Sequence, residues 1–416
     1  MFEKVLIANR GEIALRVIRS CRERGLRTVA VHSEIDADAL HTRLADEAIC
    51  IGPADPMRSY LHIPAIIAAA EITGADAVHP GYGFLSENPE FAETCAQCGL
   101  EFIGPLPDQM RQWGDKVSAR ALAKSLGLPT IEGTELIEDI DDAVKKAEAL
   151  GFPLLLKASG GGGGRGMHIL QSKEELRAIF GTARAESRVA FGNDALYFEK
   201  YIDRPRHIEF QILGDKHGNV HVLGERECSI QRRAMGEAGY LSAGTLEFLL
   251  DDRGELTFLE MNPRIQVEHP VTELVMGIDL VDEQIRIADG KRLELPEHLA
   301  PRGHAIECRI NAEDPDTFAP SPGRITELHM AGGTGVRIDS GVYGGGLVPS
   351  HYDPLIAKLI VHAPTRAQAI AKMRRALSET LIGGIVTNIP LHQRILEHPA
   401  FEEGRFSTHF LDELQA

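Results

Sequence analysis

Apolar and polar positions alternate along this chain in two registers, one helical and one extended. Lys4–Ala8 is a short apolar run that predicts a strand. Glu12–Arg24 then carries Ile13, Leu15, Val17, Ile18 and Cys21 at helical spacing and stops at Gly25. Arg27–His32 predicts a second strand, Pro64–Thr73 a helix stopped by Gly74, and Ala75–His79 a further strand. Strand and helix in strict alternation imply a parallel sheet with helices on its faces. This first domain is placed at 1–113.

The pattern then changes. Lys116–Leu126 and Asp139–Leu150 predict helices, Pro153–Ala158 and Met167–Leu170 strands, and Tyr197–Tyr201 another strand. Ser172 and Glu175 have the spacing of a capping box before the intervening helix. These segments outline a small lobe at about 130–202, inside a second domain at 114–302. From His207 the period is two, with His207, Glu209 and Gln211 on one face, and strands follow at 219–223, 244–250 and 256–262. The last domain, 303–416, mixes short strands with a long helix at Arg366–Leu381.

Composition narrows the function classes. The chain has 416 residues, 43% of them hydrophobic, enough for real cores. A formal net charge of −17 repels polyphosphate backbones and argues against nucleic acid as a partner. No apolar run reaches membrane-spanning length, and the N-terminus enters a strand with no signal-peptide layout. Cys95 and Cys98 form a C-x-x-C late in a helical stretch, with no second pair to complete a zinc site. A reducing, cytoplasmic setting fits this cysteine usage.

Three clusters carry chemistry. Gly160–Gly164 is a run of five glycines followed by Arg165 and Gly166. It joins two strands rather than a strand and a helix, which argues against a dinucleotide fold and for a hairpin flap able to lay backbone N–H groups over phosphates. Lys157 ends the incoming strand and reaches the same place. Next, a turn at Asp251–Gly254 brings Glu247 close to Glu260, with Asn262 on the face of Glu260. Two carboxylates and an amide oxygen suit Mg²⁺, which takes oxygen ligands. Finally, Arg264, Gln266 and Glu268 share a face if the chain stays extended there. An arginine fork beside a carboxylate can hold a small anion and supply a base.

On these residues the sequence resembles the biotin carboxylase family. The likeness lies in Lys157–Gly166, Glu260-Met-Asn262, Arg264–Glu273, Ile7–Ala14, His79–Asn88 and Glu307–Asp314, and it runs from residue 1 to about 412. It implies an ATP-grasp fold, α/β and α+β, with an N-terminal Rossmann-like domain, a small lid domain and a C-terminal mixed α/β domain. It implies a ligase in which ATP phosphorylates bicarbonate to carboxyphosphate, and biotin on a biotin carboxyl carrier protein is then carboxylated, the first half-reaction of acetyl-CoA carboxylase in fatty acid synthesis. The resemblance assigns Lys116 and Lys157 to the ATP phosphates, with Gly161, Gly162, Gly163 and Gly164 as the closing flap. Glu199 and Lys200 would meet the adenine, and His207 and Gln231 would line the nucleotide site. Glu247, Glu260 and Asn262 would hold Mg²⁺ (or Mn²⁺). Arg264, Gln266 and Val267 would hold bicarbonate, Glu268 would be the base, Arg337 would stabilise the biotin enolate and Tyr82 would border the biotin pocket. A homodimer and carboxyltransferase subunits are the implied partners.

Two departures from the family stand out. Pro263 replaces a threonine. More importantly, the family continues after Gln231-Arg232-Arg233 with a His-Gln-Lys stretch, an acidic proline-rich loop and a helix, whereas here only Ala234–Ala238 precede Gly239. A lysine and a histidine of the family's site have no counterpart, and the link leaves no room for a loop plus a helix. This keeps open an ATP-binding variant with impaired carboxylation, or a structural or regulatory partner that binds ATP without catalysis. Another ATP-grasp ligase, acting on an amino acid or peptide, is disfavoured by the Arg264–Glu268 motif. The biotin carboxylase component of another acyl-CoA or pyruvate carboxylase is the remaining alternative.

Overall fold

A computed structural model describes residues 2–159, 167–224, 234–296 and 299–415. The N-terminal region is a five-stranded sheet in the order β3-β2-β1-β4-β5. Its strands are β1 (Lys4–Ile7), β2 (Arg27–Ser33), β3 (Glu47–Gly52), β4 (Ala77–His79) and β5 (Glu101–Phe102), and every pairing is parallel. Crossover helices account for the parallel pairing. The helix Gly11–Glu23 buries Ile13, Leu15, Val17, Ile18 and Cys21, the apolar positions of its sequence pattern. Gly25 and Gly74 stop their helices with φ of 72° and 63°, left-handed values that cost glycine nothing.

The small lobe is a three-stranded antiparallel sheet, β7 (Met167–Leu170), β6 (Leu154–Ala158) and β8 (Leu196–Lys200), in the order β7-β6-β8. Helices Ile140–Leu150 and Lys173–Phe191 share an apolar core with it, through Ala143, Ala147, Leu176 and Phe180. The predicted capping box is half formed. Ser172 accepts from the Glu175 N–H at 3.3 Å, but the Glu175 carboxylate takes the Gln171 N–H at 2.7 Å instead of that of Ser172.

A four-stranded antiparallel sheet follows, in the order β10-β9-β11-β12, from β9 (Arg206–Gly214), β10 (Val220–Leu223), β11 (Ser242–Leu250) and β12 (Leu256–Asn262). The shortened link holds one helical turn at 234–237. Its Ala234 and Met235 are fully buried in the cluster of Trp113, Phe210, Tyr240 and Phe248, so the core beneath the link is closed.

The C-terminal region centres on strand Leu355–Ala363, flanked antiparallel by β13 (His304–Asn311) and strand Val336–Ser340. Helix Arg366–Glu379 covers it through Ala369, Ile370, Met373 and Ala376. Gly341, at the end of this sheet, touches the N-terminal region. A Cβ there would come within 2.8 Å of the Glu12 backbone nitrogen, so only glycine permits the approach.

Candidate active site

The hairpin of β11 and β12 sets Glu247 directly across from Glu260, as its sequence pattern requires, and Thr245 opposite Asn262. A register shift follows Glu247. Each acid has its own partners. Glu260 lies 2.9 Å from Lys116 Nζ. Glu247 accepts from His207 Nε2 at 2.8 Å on one oxygen, and from Gln266 Nε2 at 2.8 Å and the Asn262 amide on the other. One carboxylate thus joins a nucleotide candidate, a metal candidate and a bicarbonate candidate. The facing oxygens of Glu247 and Glu260 suit a hard divalent cation. Asn262 gives its N–H to Glu247 and its oxygen to Arg264 Nη2 at 3.1 Å, so serving as a metal ligand would require its amide to rotate.

His207 and Glu209 lie two apart on β9 and share a face, and Glu209 pairs in register with Glu247. Among the described residues, His207, Glu209 and Glu247 form a second metal-capable group, with ligand atoms within 4.8 Å of one another. The hydrogen bond to Glu247 raises the pKa of His207. Burial, followed by repulsion from Glu268 and Glu247, pushes Glu209 up to about 8. Sequence reading placed Glu209 on the right face but gave it no role.

In the lobe, Lys157 and Glu199 meet in a buried pair at 2.5 Å. Arg120, which the sequence did not single out, lies 3.7 Å from the other Glu199 oxygen and 5.4 Å from the Tyr197 ring centre. The side chain of Lys200 is not brought to this site. Alternation along β8 turns it to the other face, where it donates to the Gly151 carbonyl at 2.7 Å. Gly161, Gly162, Gly163, Gly164 and Gln231 lie outside the described residues.

The extended face anticipated at Arg264–Glu268 does not form. β12 ends at Asn262, a bend and a turn follow, and helix His269–Met276 starts with Glu268 at its N-cap. The motif therefore fans out. Arg264 Nε pairs with Glu87 at 2.9 Å, Gln266 turns to Glu247, and Glu268 takes Arg309 Nη2 at 2.6 Å. A cleft of about 640 Å³ opens beside it, with Arg264, Val267, Arg309, Tyr82 and Phe84 in its wall. Tyr82 donates to Glu12, and burial with that neighbouring carboxylate raises its phenol well above the ordinary range.

Arg337 is placed elsewhere. Its guanidinium is held by Glu273 at 2.6 Å and by both oxygens of Asp339, at 3.1 and 2.7 Å. It borders a separate surface hollow with Arg16, Arg19 and Glu23. Arg309 faces the cleft together with Arg264; it lies inside the Glu307–Asp314 motif but was given no role from sequence. In the C-x-x-C, burial pushes the Cys95 thiol up to about 12, which disfavours its thiolate.

Comparison with known proteins places this geometry. The family model "Biotin carboxylase, N-terminal domain" matches residues 1–110, and "Biotin carboxylase C-terminal domain" matches 307–413. "Carbamoyl-phosphate synthase L chain, ATP binding domain" matches in two pieces, 115–237 and 233–296. The biotin carboxylase of Haemophilus influenzae is 53% identical over 442 aligned residues, covering 99% of this chain and 98% of the relative. A pyruvate carboxylase component of Methanothermobacter thermautotrophicus is 48% identical over 443, covering 99% and 90%. The biotin carboxylase domain dimer of Hydrogenobacter thermophilus 2-oxoglutarate carboxylase, solved with MgADP, ADP and bicarbonate, superposes with a TM-score of 0.96 at 46% identity, covering 99% and 98%. A Campylobacter jejuni biotin carboxylase complex matches with a TM-score of 0.96 at 44% identity, covering 99% of each chain. The 442 aligned positions outnumber this chain's 416 residues, so the relative has residues with no counterpart here. The ATP-binding model breaks at 233–237, at the shortened link.

Proposed function

This chain belongs to the biotin carboxylase family, ATP-dependent ligases of the ATP-grasp type, and from that premise we propose how its residues divide the reaction. Lys116 and Lys157 bind the ATP phosphates, with Glu199, His207 and Gln231 around the nucleotide and Gly161–Gly164 closing over it. Glu247 and Glu260, with Asn262, hold Mg²⁺, which when bound neutralises phosphate charge. Arg264, Gln266 and Val267 hold bicarbonate, and Glu268 takes its proton. Bicarbonate accepts the γ-phosphoryl group, releasing ADP, to give carboxyphosphate, which breaks down to CO₂ and phosphate; biotin gives up its N1′ proton to that phosphate and adds the CO₂ there. Arg309, rather than Arg337, faces the charge that develops on biotin. Tyr82 and Phe84 line the cleft that receives the biotin ring.

The observation that carries this reading is Glu247, whose two oxygens gather His207, Asn262 and Gln266 at one point. The residues proposed for nucleotide, metal and anion meet there. A bicarbonate-dependent ATPase assay with free biotin tests it. Bicarbonate-dependent ATP cleavage stimulated by biotin is the expected result, and ATP cleavage indifferent to bicarbonate would overturn it.

The domains are taken as 1–113, 114–302 and 303–416. The relative solved as a dimer supports a homodimer here. The physiological partners of this reading are a biotin carboxyl carrier protein and carboxyltransferase subunits, as in the first half of acetyl-CoA carboxylation. Relatives named for pyruvate and 2-oxoglutarate carboxylases support a final acceptor chosen by another component. No helix among the described residues is long and apolar enough to cross a membrane. The five described cysteines are free, in keeping with a cytoplasmic enzyme.

A second reading has one observation of its own, the break in the ATP-binding match at 233–237. If the missing residues supply cations beside the phosphoryl group, this chain binds ATP but carboxylates biotin slowly. An intact mass of 45.5 kDa together with a turnover equal to that of a full-length relative would dismiss it.

A further inference from the structure

The fan of Arg264–Glu268 is held from behind by buried groups that no step of the reaction uses. Lys358 sits on the central strand of the C-terminal sheet, in register with Arg309 on one side and Asp339 on the other. It is 0% exposed. Its ammonium donates to the Val267 carbonyl at 3.0 Å and lies 3.1 Å from a Glu12 oxygen and 3.9 Å from Asp339. The second Glu12 oxygen accepts from Tyr82. We propose that Lys358 is a positioning residue, fixing the Val267 peptide from the rear so that the loop's amide groups face bicarbonate. The proposal rests on the reading of Arg264–Glu268 as the bicarbonate loop.

In a planar trans peptide the C=O and the following N–H point in opposite directions. A carbonyl held toward the interior therefore sends the next residue's N–H outward. Lys358 holds the Val267 carbonyl, which directs the Glu268 N–H away from the buried network. His269 does the same one peptide earlier, its Nδ1 lying 2.8 Å from the Gln266 carbonyl, which directs the Val267 N–H outward. Two consecutive outward N–H groups make a concavity suited to a small anion. Arg264 and Arg309 line the same cleft as Val267 and give it a positive rim.

The charge of Lys358 is matched where it sits. A buried ammonium persists only when paired, and Glu12 and Asp339 flank it. Close contact of Gly341 with the Gly11–Glu12 backbone keeps Glu12 against this sheet. Lys358 touches neither the metal hairpin nor the Lys157–Glu199 pair. Its loss should weaken bicarbonate binding and spare the nucleotide.

The test uses the full chain loaded with Mg-ADP, titrated with bicarbonate and followed by thermal shift or calorimetry, so that it does not depend on turnover. Two variants are compared, Lys358→Met and the charge-balanced pair Lys358→Met with Glu12→Gln. The bicarbonate dissociation constant is expected to rise about tenfold or more in each, while that for ADP stays within about twofold. Should Lys358→Met fail to fold with Glu12 unpaired, the paired variant carries the test. Equal weakening of ADP and bicarbonate would mark Lys358 as merely structural and overturn the proposal. So would unchanged bicarbonate binding, provided that Arg264→Ala weakens it. If Arg264→Ala also leaves bicarbonate binding untouched, the bicarbonate reading of the loop is what fails, and the proposal falls with it.

Discussion

Arg309 and Arg337 stand on the two strands that flank Leu355–Ala363, and they have opposite fates. Arg337 is fully engaged, with Asp339 across two nitrogens and Glu273 on a third, and both acids are almost wholly buried. Arg309 makes one carboxylate contact, to Glu268, and its side chain is 49% exposed toward the cleft. A guanidinium enclosed by two buried carboxylates cannot turn to charge that develops during a reaction without breaking those bonds. One held at a single nitrogen keeps N–H groups to spare. The difference separates an arginine committed to buried ion pairs from one with N–H groups left to face the cleft.

The largest effect should come from Arg309→Ala. It removes a cation aimed at developing charge, and biotin carboxylation should fall by about 10²–10³-fold with Mg-ADP affinity unchanged. Arg337→Ala should do the reverse, keeping ATP binding but losing ~3 kcal/mol of folding stability, because buried Glu273 and Asp339 lose their shared partner, Glu273 keeping Arg16 at 2.9 Å and Asp339 keeping Lys358 at 3.9 Å. Denaturant unfolding and steady-state turnover, measured on both variants, decide the matter. A stable Arg337→Ala protein with no carboxylation would exchange the two roles.

A smaller effect is expected at the metal hairpin. Glu260→Gln removes one anionic ligand and should weaken Mg-ATP binding by roughly tenfold, while leaving metal-free ADP binding nearly unchanged. Affinity for Mg-ATP equal to that of the unaltered chain would remove Glu260 from the metal set.

The same contrast explains what could be read from sequence. The parallel sheet, the lobe and the Glu247–Glu260 pairing follow from periods of two and 3.6, which side-chain burial imposes on any chain. The fan at 264–268 was not legible, because a period-two pattern next to a strand looks like more strand until the chain bends. Lys200 shows a related limit: neighbouring residues on a strand point to opposite faces, so its side chain leaves the face of Glu199. Arg309 and Arg337 look alike as Cys-Arg-Ile and Val-Arg-Ile, and only their tertiary partners tell them apart. His79–Asn88 and Glu307–Asp314 were recognisable as motifs, yet the pairing of Glu87 with Arg264 joins segments far apart in sequence. Pair contacts of that kind are written in the fold.

The smallest predicted effect tests why Arg309 is less committed than Arg337. Glu307 lies two residues before Arg309 on β13, and both its carboxyl oxygens are buried without a hydrogen-bond partner. Burial pushes it up to about 8, with Lys358 and Arg309 pulling down and Glu268 and Glu12 pushing further up. At neutral pH it is thus largely protonated and does not claim Arg309 as Asp339 claims Arg337. In the unfolded chain the same group ionises near ~4.3. Between those values the folded state keeps a proton that the unfolded state has lost. Stability therefore falls as pH rises through the window and levels off above about 8, where both states are ionised. Glu307→Gln imitates the neutral acid and should remove that slope. Its melting temperature should exceed that of the unaltered chain by more at pH 8 than near pH 5, the gain growing as pH rises through that window. A gain that is the same at both pH values would mean that Glu307 titrates normally, and that Arg309 is shared between two carboxylates after all.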